Sequence, residues 1–271
     1  MFEWRNIFKG MMIGASDVVP GVSGGTIALL VGIYERLIEA INGVLTKEWK
    51  KHVIFLVPVG IGVGLAILTL SHLLSWLLEA FPQPTFFFFL GLILAIIPVL
   101  MVEADYKQTF GGIHYLLLLI AAIAVAATGL VGDEQAAIMT NLAWKDYLFL
   151  FFAGWLASSA MILPGISGSM VLLLLGAYVT VIDAIKSFNM PIIIIVGLGI
   201  VVGLLLTSKL IRYLFNHYRT ATYAVVTGFV VGSIFVVYPG WPADGLLMVI
   251  SIIALVCGYA AAYLLGKAER N

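Results

Sequence analysis

The sequence has 271 residues, of which 62% are hydrophobic and only 10% are charged, and its mean hydropathy is +1.12. Soluble domains carry about 25% charged residues, so this composition excludes an ordinary water-soluble globular protein. The formal net charge of zero excludes the strongly basic surface typical of nucleic-acid-binding proteins, and we expect no nucleic-acid partner.

Eight apolar segments follow one another along the chain, and two of them are interrupted by a Pro-Gly pair. The first, residues 7–41, contains Pro20-Gly21; the fifth, residues 147–185, contains Pro164-Gly165. Proline clashes with the preceding helical turn and lacks a donor, so each pair breaks a helix. We interpret each broken segment as two arms joined by an unwound tip, either a re-entrant hairpin or two crossings.

The other six apolar segments are continuous and long enough to cross a bilayer as helices. They cover residues 53–78, 85–102, 114–131, 191–214, 221–238 and 246–265. We therefore expect an all-α polytopic membrane protein that forms one domain over residues 1–271.

Positive charge is distributed unequally between the predicted loops. With a cytoplasmic N-terminus, the cytoplasmic segments contain Arg5, Lys9, Lys47, Lys50, Lys51, Lys107, Lys209, Arg212, Arg219, Lys267 and Arg270. The opposite side contains Lys145 and Lys186 beside Asp133, Glu134 and Asp244. Because cytoplasmic loops are enriched in lysine and arginine, both termini are predicted to lie in the cytoplasm. We expect the protein to lie in the inner membrane of a bacterium.

The two broken segments are copies of one another. Residues 10–42 align with residues 154–186 without a gap and share twelve identities, including Pro-Gly-x-Ser-Gly. We expect repeat one at residues 5–132 and repeat two at residues 144–266, each with one broken hairpin and three spans. An odd number of crossings separates the copies, so the second repeat is predicted to be inverted, as in many transporters.

Each tip carries small and hydroxyl-bearing residues that suit an anion. Ser23 and Ser167 are natural N-caps, and glycines beside them let a ligand approach the backbone. Helix starts present free N–H groups, and phosphate matches two facing starts well. The predicted phosphate site consists of Ser23, Gly24, Gly25, Thr26, Ser167, Gly168 and Ser169. The alternative is that the glycines only permit a tight turn and close helix packing.

Charged residues inside the first broken segment are further candidates. Asp17 precedes the first tip and is a candidate for proton or ion coupling, or alternatively a carboxylate that caps the tip with Ser16 or the tip amides as partners. A helical wheel places Gly25, Gly32, Arg36 and Glu39 on one face. Arg36 is expected to attract a lipid phosphate, or alternatively to pair with Glu35 and Glu39. Glu35 is a second coupling candidate.

The run Gly14-Ala15-Ser16-Asp17-Val18-Val19-Pro20-Gly21-Val22-Ser23-Gly24-Gly25-Thr26 resembles the PopT-type polyprenyl-phosphate translocases, as do residues 32–35, 89–98 and the second motif from Pro164 to Gly168. The resemblance covers essentially the full length. It implies transport of undecaprenyl phosphate from the outer to the cytoplasmic leaflet, for recycling of the carrier lipid of cell-wall synthesis.

Two other functions stay open at this point. A transporter of a small soluble anion would explain the repeat equally well. A lipid phosphatase would need a clustered nucleophile, base and cations, and His72, His114 and Asp17 do not have that spacing. We therefore expect no enzymatic activity, no cofactor and no metal site. Oligomeric state is not predicted from the sequence.

Overall fold

The computed structural model describes residues 3–17, 22–130, 138–140 and 142–270, and the side chains of residues 71, 72, 75 and 268–270 lie outside this description. The described chain is all α-helical, which confirms the predicted fold class at that level. Its helices are α1 Arg5–Asp17, α2 Gly24–Leu30, α3 Tyr34–Gly43, α4 Trp49–Ala80, α5 Pro82–Glu103, α6 Tyr106–Thr109, α7 Gly112–Thr128, α8 Trp144–Ile162, α9 Gly168–Leu174, α10 Tyr178–Lys186, α11 Met190–His217, α12 Arg219–Val237 and α13 Gly245–Arg270.

The continuous apolar segments form long helices, as predicted. Among the described residues, α5, α11, α12, α13 and the first 22 residues of α4 are long and apolar enough to cross a membrane. The remaining predicted span corresponds to α7, which is apolar but shorter, and the predicted end of that span at residue 131 lies outside the described residues. The chain is therefore a multi-pass membrane protein.

Each broken segment contains three helices rather than the predicted two arms. The first comprises α1, α2 and α3, and the second comprises α8, α9 and α10. The Pro20-Gly21 break lies outside the described residues, whereas Pro164-Gly165 lies between α8 and α9. A second break that the sequence did not predict follows α2 and α9, and the chain bends by 113° between α9 and α10.

Glycine produces this second break in both copies. Gly32 and Gly176 adopt φ of 66° and 70°, in the left-handed region that favours glycine. Each glycine amide bonds to the carbonyl three residues back, and the next amide bonds to the carbonyl five residues back. These bonds measure 3.1 and 3.0 Å after α2, and 2.8 and 2.9 Å after α9. This is the Schellman pattern of helix ends, and it appears at the same place in both copies.

The break at Gly32 makes the helical-wheel prediction wrong. The wheel assumed one continuous helix through Gly25, Gly32, Arg36 and Glu39, but α2 ends at Leu30 and α3 begins at Tyr34. Residues on opposite sides of the break therefore do not share a helical face. For the same reason, the distance between Arg36 and the first tip cannot be calculated from the rise per residue of a single helix.

Close glycine contacts join the first and fourth helices of each half. In one half, Gly62 of α4 lies against the Ile7 carbonyl of α1. In the other half, Gly199 of α11 lies against the Phe151 carbonyl of α8. A Cβ at either glycine would overlap the facing carbonyl, so both helix pairs depend on the missing side chain. Downstream of the broken segments, the two halves align in a shifted register that matches Gly62 with Gly199, and the structure uses these glycines in the same way.

The remaining long helices pack across the two halves. Gly91 of α5 lies against the Leu255 carbonyl of α13, and Gly228 of α12 lies against the Leu118 carbonyl of α7. The most extensive helix packing is α5 with α13, α8 with α11, α1 with α4 and α7 with α12. A span of each half thus packs against the last helix of the other half.

The two short helices that follow the Pro-Gly pairs differ in burial. Six of the seven residues of α2 are buried, whereas α9 has no buried residue. The main hydrophobic core surrounds α2 and includes Ile27, Ile93 of α5 and Val230 of α12. The first motif, from Val22 onwards where it is described, therefore lies inside the molecule, whereas the second motif is buried at Pro164-Gly165 and reaches the edge of the molecule at α9.

Candidate functional site

The described segments around the two Pro-Gly-x-Ser-Gly motifs are in direct contact. The Gly165 amide donates a hydrogen bond of 2.8 Å to the Thr26 hydroxyl, and the Ser23 hydroxyl donates one of 3.3 Å to the Leu163 carbonyl. Thr26 and Ser23 are 1% and 2% exposed, so these bonds are formed away from water. Buried polar groups require such partners, and each motif supplies them to the other.

The carbonyl end of α8 faces the start of α2. The Tyr34 hydroxyl donates to the Ile162 carbonyl at 3.1 Å, and a Cβ added at Gly25 would lie 3.0 Å from the same oxygen. The positive end of α2 therefore meets the negative end of α8, which is a favourable pairing of helix dipoles. We predicted instead that the starts of α2 and α9 face one another. No hydrogen bond between Ser23 and Ser167 occurs in the described part of the chain.

Asp17 holds the first amide of α2. The Gly24 amide donates a hydrogen bond of 2.8 Å to Asp17 Oδ1. Ser16 is not a partner of this carboxylate, because its hydroxyl donates to the Ile13 carbonyl at 2.7 Å. The carboxyl group at the start of α2 is therefore the protein's own side chain. Asp17 thus has the capping role, which was one of its two predicted roles.

Ser23 completes the cap of the first motif. It occupies the N-cap position of α2 with extended backbone, and its hydroxyl accepts a hydrogen bond of 3.2 Å from the Gly25 amide. Together with Asp17, it satisfies two of the amides that a helix start leaves free. A phosphate that bound these amides would have to replace both oxygens.

The second motif is open by comparison. Ser167 occupies the N-cap position of α9, but its hydroxyl lies 2.8 Å from the Ser169 hydroxyl instead of capping an amide. Ser169 is exposed, Ser167 and Gly168 are half-buried, and Met161 stands where the first copy has Asp17. The adjoining cleft between Ser167 and Thr128 has a volume of only about 10 Å³, which is room for roughly one water molecule. Headgroup binding there requires this cleft to widen.

Arg36 lies at the surface and pairs with Glu3 of the N-terminal segment. Its Nη1 and Nη2 donate to the two Glu3 carboxylate oxygens at 2.8 and 2.7 Å, and its guanidinium lies 4.5 Å from the centre of the Phe55 ring. Arg36 holds the pKa of Glu3 below its ordinary value. Its partner is thus neither Glu35 nor Glu39, the pairs that the sequence suggested.

Glu35 takes part in a polar cluster that the sequence analysis missed. Its carboxylate accepts a hydrogen bond of 2.9 Å from the Tyr223 hydroxyl, which also lies 3.1 Å from Glu103 Oε2. Tyr223 is 2% exposed and packs edge-on against Phe215, which packs in turn against Tyr34. An aromatic row therefore connects the α8 carbonyl end with this cluster. Tyr34 is repeated as Tyr178, which was the available signal for it; Glu103 and Tyr223 have no such signal.

Metal ligands are not grouped in the described residues, where no three His, Cys, Asp or Glu side chains could hold an ion together. The described site therefore consists of hydroxyls, backbone amides and carbonyls, and single carboxylates. Such groups can bind and release an anion by exchanging hydrogen bonds.

The sequence is similar to one protein family and to two named transporters. Residues 13–252 match the VCA0040-like family, described as undecaprenyl phosphate translocase-like. A polyprenyl-phosphate transporter of Staphylococcus aureus is 41% identical over 274 residues, which cover 98% of this chain and 97% of that protein. A polyprenyl-phosphate transporter of Vibrio cholerae is 38% identical over 244 residues, which cover 85% of this chain and 76% of that protein. No solved structure matches the chain. The chain belongs to the undecaprenyl phosphate translocase-like family.

Proposed function

We propose that this protein transports undecaprenyl phosphate across the bacterial cytoplasmic membrane, from the outer to the cytoplasmic leaflet, so that the carrier lipid is reused in cell-wall synthesis. The names of two relatives, both polyprenyl-phosphate transporters, support the substrate class. The phosphate headgroup must cross about 30 Å of hydrocarbon, while the polyprenyl tail can stay in lipid. The protein acts as a transporter rather than an enzyme, with both termini in the cytoplasm.

The observation that carries this proposal is the contact between the two motifs at Thr26 and Gly165. Irregular backbone at membrane depth is tolerated only where it is buried in protein or lines a wet cavity. One motif is buried and the other is open at its edge, so their shared boundary is where a polar headgroup can be sheltered. Separation of the motifs would create the room that the present cleft lacks.

The exchange of helices between the halves supports an inverted repeat. Residue 91 aligns with residue 228 in the two copies, and these glycines place α5 on α13 and α12 on α7. Two repeats related by a two-fold axis in the membrane plane would produce this reciprocal packing. We therefore assign repeat one to residues 5–132 and repeat two to residues 144–266, and expect alternating exposure of the boundary between them.

The headgroup path begins at the open motif. Ser167, Gly168 and Ser169 offer hydroxyls and backbone at the edge, and the headgroup then reaches Ser23, Gly24, Gly25 and Thr26 as the motifs separate. The phosphate competes with the Asp17 carboxylate for the Gly24 amide, so loss of charge on Asp17 favours binding. Asp17 is thus the leading coupling group and Glu35 the second, while Arg36 can attract a headgroup at the surface only after it leaves Glu3.

A leaflet-exchange assay tests the proposal. Purified protein in liposomes is given labelled undecaprenyl phosphate in one leaflet, and its appearance in the other leaflet is followed. We expect protein-dependent exchange without release of inorganic phosphate. Exchange of small anions with no movement of the lipid would favour a soluble-anion transporter, and phosphate release would favour a phosphatase.

A further inference from the structure

A second cavity lies at the opposite end of α2 from the motif contact. Its volume is about 250 Å³, and one face of α1 forms most of its wall. Arg5, Phe8, Lys9 and Met12 follow the i, i+3, i+4, i+7 spacing of a single helical face. The remaining lining residues are Trp4, Val31 and Leu265.

Three elements meet at this cavity. Val31 is the C-cap of α2, directly before the glycine turn into α3, and Leu265 lies near the end of α13. Because α2 has seven residues, its C-terminal end is about 10 Å from the first motif. The cavity is therefore one short helix away from the proposed central site, on the side that holds the N-terminus.

The chemistry of the wall is divided between charge and hydrocarbon. Arg5 and Lys9 are basic residues four positions apart, which places their side chains next to one another on α1; Lys9 already takes part in another interaction, so Arg5 is the cation offered to a ligand. Among the described residues no carboxylate forms an ion pair with Arg5, whose guanidinium lies 6.0 Å from the Trp4 ring centre. Glu3, the carboxylate nearest to Arg5 in sequence, is engaged by both nitrogens of Arg36. The positive charge of Arg5 therefore remains available to a ligand.

Apolar side chains cover the rest of the cavity. Phe8, Met12, Val31 and Leu265 would gain nothing from a soluble anion such as inorganic phosphate, which stays hydrated. A lipid with a terminal phosphate satisfies both parts of the wall, because its headgroup pairs with cations and its first hydrocarbon units bury apolar surface. This charge complementarity selects the lipid over the free anion.

We infer that the cavity formed by α1, the end of α2 and α13 is a holding site for the headgroup of a phosphate-bearing lipid, distinct from the boundary between the two motifs. This inference rests on the proposed function, since it supplies the place where the lipid waits before or after its passage. In the proposed orientation the site lies at the headgroup level of the cytoplasmic leaflet. Arg36 contributes indirectly by keeping Glu3 engaged.

The test is a pair of double variants in phosphatidylcholine nanodiscs and liposomes. Arg5→Gln with Lys9→Gln removes the two charges at the cavity, whereas Lys50→Gln with Lys51→Gln removes two exposed charges at the start of α4. The first variant should weaken binding of undecaprenyl phosphate on the order of tenfold and raise the half-saturating lipid concentration for exchange. Undecaprenol, which lacks the phosphate, should bind both variants and the unmodified protein equally. The double variant Arg5→Lys with Lys9→Arg keeps both charges and should bind the lipid as tightly as the unmodified protein.

Several outcomes would overturn the inference. If the α4 variant weakened lipid binding as much as the α1 variant, the effect would come from general surface charge. If inorganic phosphate competed with the lipid for binding, the ligand would be a soluble anion. Unchanged binding and half-saturation in the α1 variant, with normal exchange by the unmodified protein, would remove the holding site and leave the proposed function intact. Absence of exchange by the unmodified protein would instead remove the proposed function.

Discussion

The Gly165 amide donates its hydrogen bond to the Thr26 hydroxyl across 139 residues of sequence. Each residue belongs to one copy of the repeated segment, so this bond joins the two halves of the protein at their most similar parts. Both groups are buried, and neither has access to water as a substitute. Loss of one partner therefore leaves the other unsatisfied, which is the costly case for a buried hydrogen bond.

Thr26→Val tests this bond, because valine keeps the shape of threonine and removes the hydroxyl. We expect a loss of about 1–3 kcal/mol in stability, and a changed rate of lipid exchange because the two motifs separate more easily. Thr69→Val is the matched control, since Thr69 is exposed and donates only to the Leu65 carbonyl of its own helix at 2.7 Å. Thermal unfolding in detergent and exchange in liposomes provide the readouts. Equal melting temperatures and exchange rates of the two variants would show that the bond between Thr26 and Gly165 contributes to neither stability nor transport.

Gly25→Ala tests how closely α2 and α8 must approach. The added Cβ would lie 3.0 Å from the Ile162 carbonyl and 3.3 Å from the Met161 carbonyl, so the end of α8 would have to move. Lipid exchange should fall severalfold. Gly60→Ala is the control, because no atom lies within 4 Å of its added Cβ and alanine favours a helix by about 1 kcal/mol over glycine. Wild-type exchange by Gly25→Ala would contradict the close packing of the motifs.

Asp17→Asn and Asp17→Ala separate the structural role of Asp17 from its charge. Asparagine retains an oxygen for the Gly24 amide, so the folded protein should keep its stability, whereas alanine should lose about 1 kcal/mol of it. The exchange rate of Asp17→Asn should lose its normal dependence on pH. Rates measured across a pH series check this. A folded Asp17→Asn protein with an unaltered pH profile would exclude Asp17 from coupling.

The serines of the two motifs should respond differently to alanine. Ser23→Ala removes a buried cap that both accepts from Gly25 and donates to Leu163, so we expect a loss of about 1–2 kcal/mol in stability. Ser167→Ala with Ser169→Ala removes accessible hydroxyls, so stability should change little while headgroup affinity falls. Combined melting and lipid-binding measurements distinguish the two effects. A loss of headgroup affinity in Ser23→Ala, with a loss of stability in the Ser167→Ala and Ser169→Ala variant, would contradict these assignments.

Glu3→Gln tests the surface pair with Arg36. Arg36 lowers the pKa of Glu3, so the pair stabilises the protein above the ordinary pKa of glutamate, and its contribution disappears as pH falls through the lowered pKa. Both side chains are exposed, which limits the contribution to under about 1 kcal/mol. The melting temperatures of the variant and the unmodified protein should therefore differ slightly at neutral pH and converge in acid. A difference that grows in acid would contradict the pairing.

The sequence was sufficient for the helical class and the long spans, because apolar segment length acts locally. It did not reveal the breaks at Gly32 and Gly176, since the apolar pattern continues through both glycines and only a positive φ distinguishes them. The wheel through Arg36 failed for that reason. Local pattern does not specify where a glycine leaves the helix.

The candidate site depends on partners that are distant in sequence. Leu163 and Ile162 contribute backbone carbonyls, which any residue could supply, so no side-chain motif marks them. Asp17 was recognised because it is an acidic residue in an apolar segment. Its hydrogen bond with the Gly24 amide, seven residues away, could not be predicted from the sequence. Glu103 and Tyr223 meet Glu35 only through the packing of α12 against α5 and remained hidden.

The most direct measurement is an experimental structure of the protein with bound undecaprenyl phosphate. We expect phosphate density within hydrogen-bonding distance of the Ser167 and Ser169 hydroxyls, in a cleft widened beside the contact of Thr26 with Gly165. Phosphate density confined to parts of the protein other than this cleft and the α1 cavity, with Thr26 and Gly165 still bonded and the cleft closed, would contradict a transport site between the two motifs.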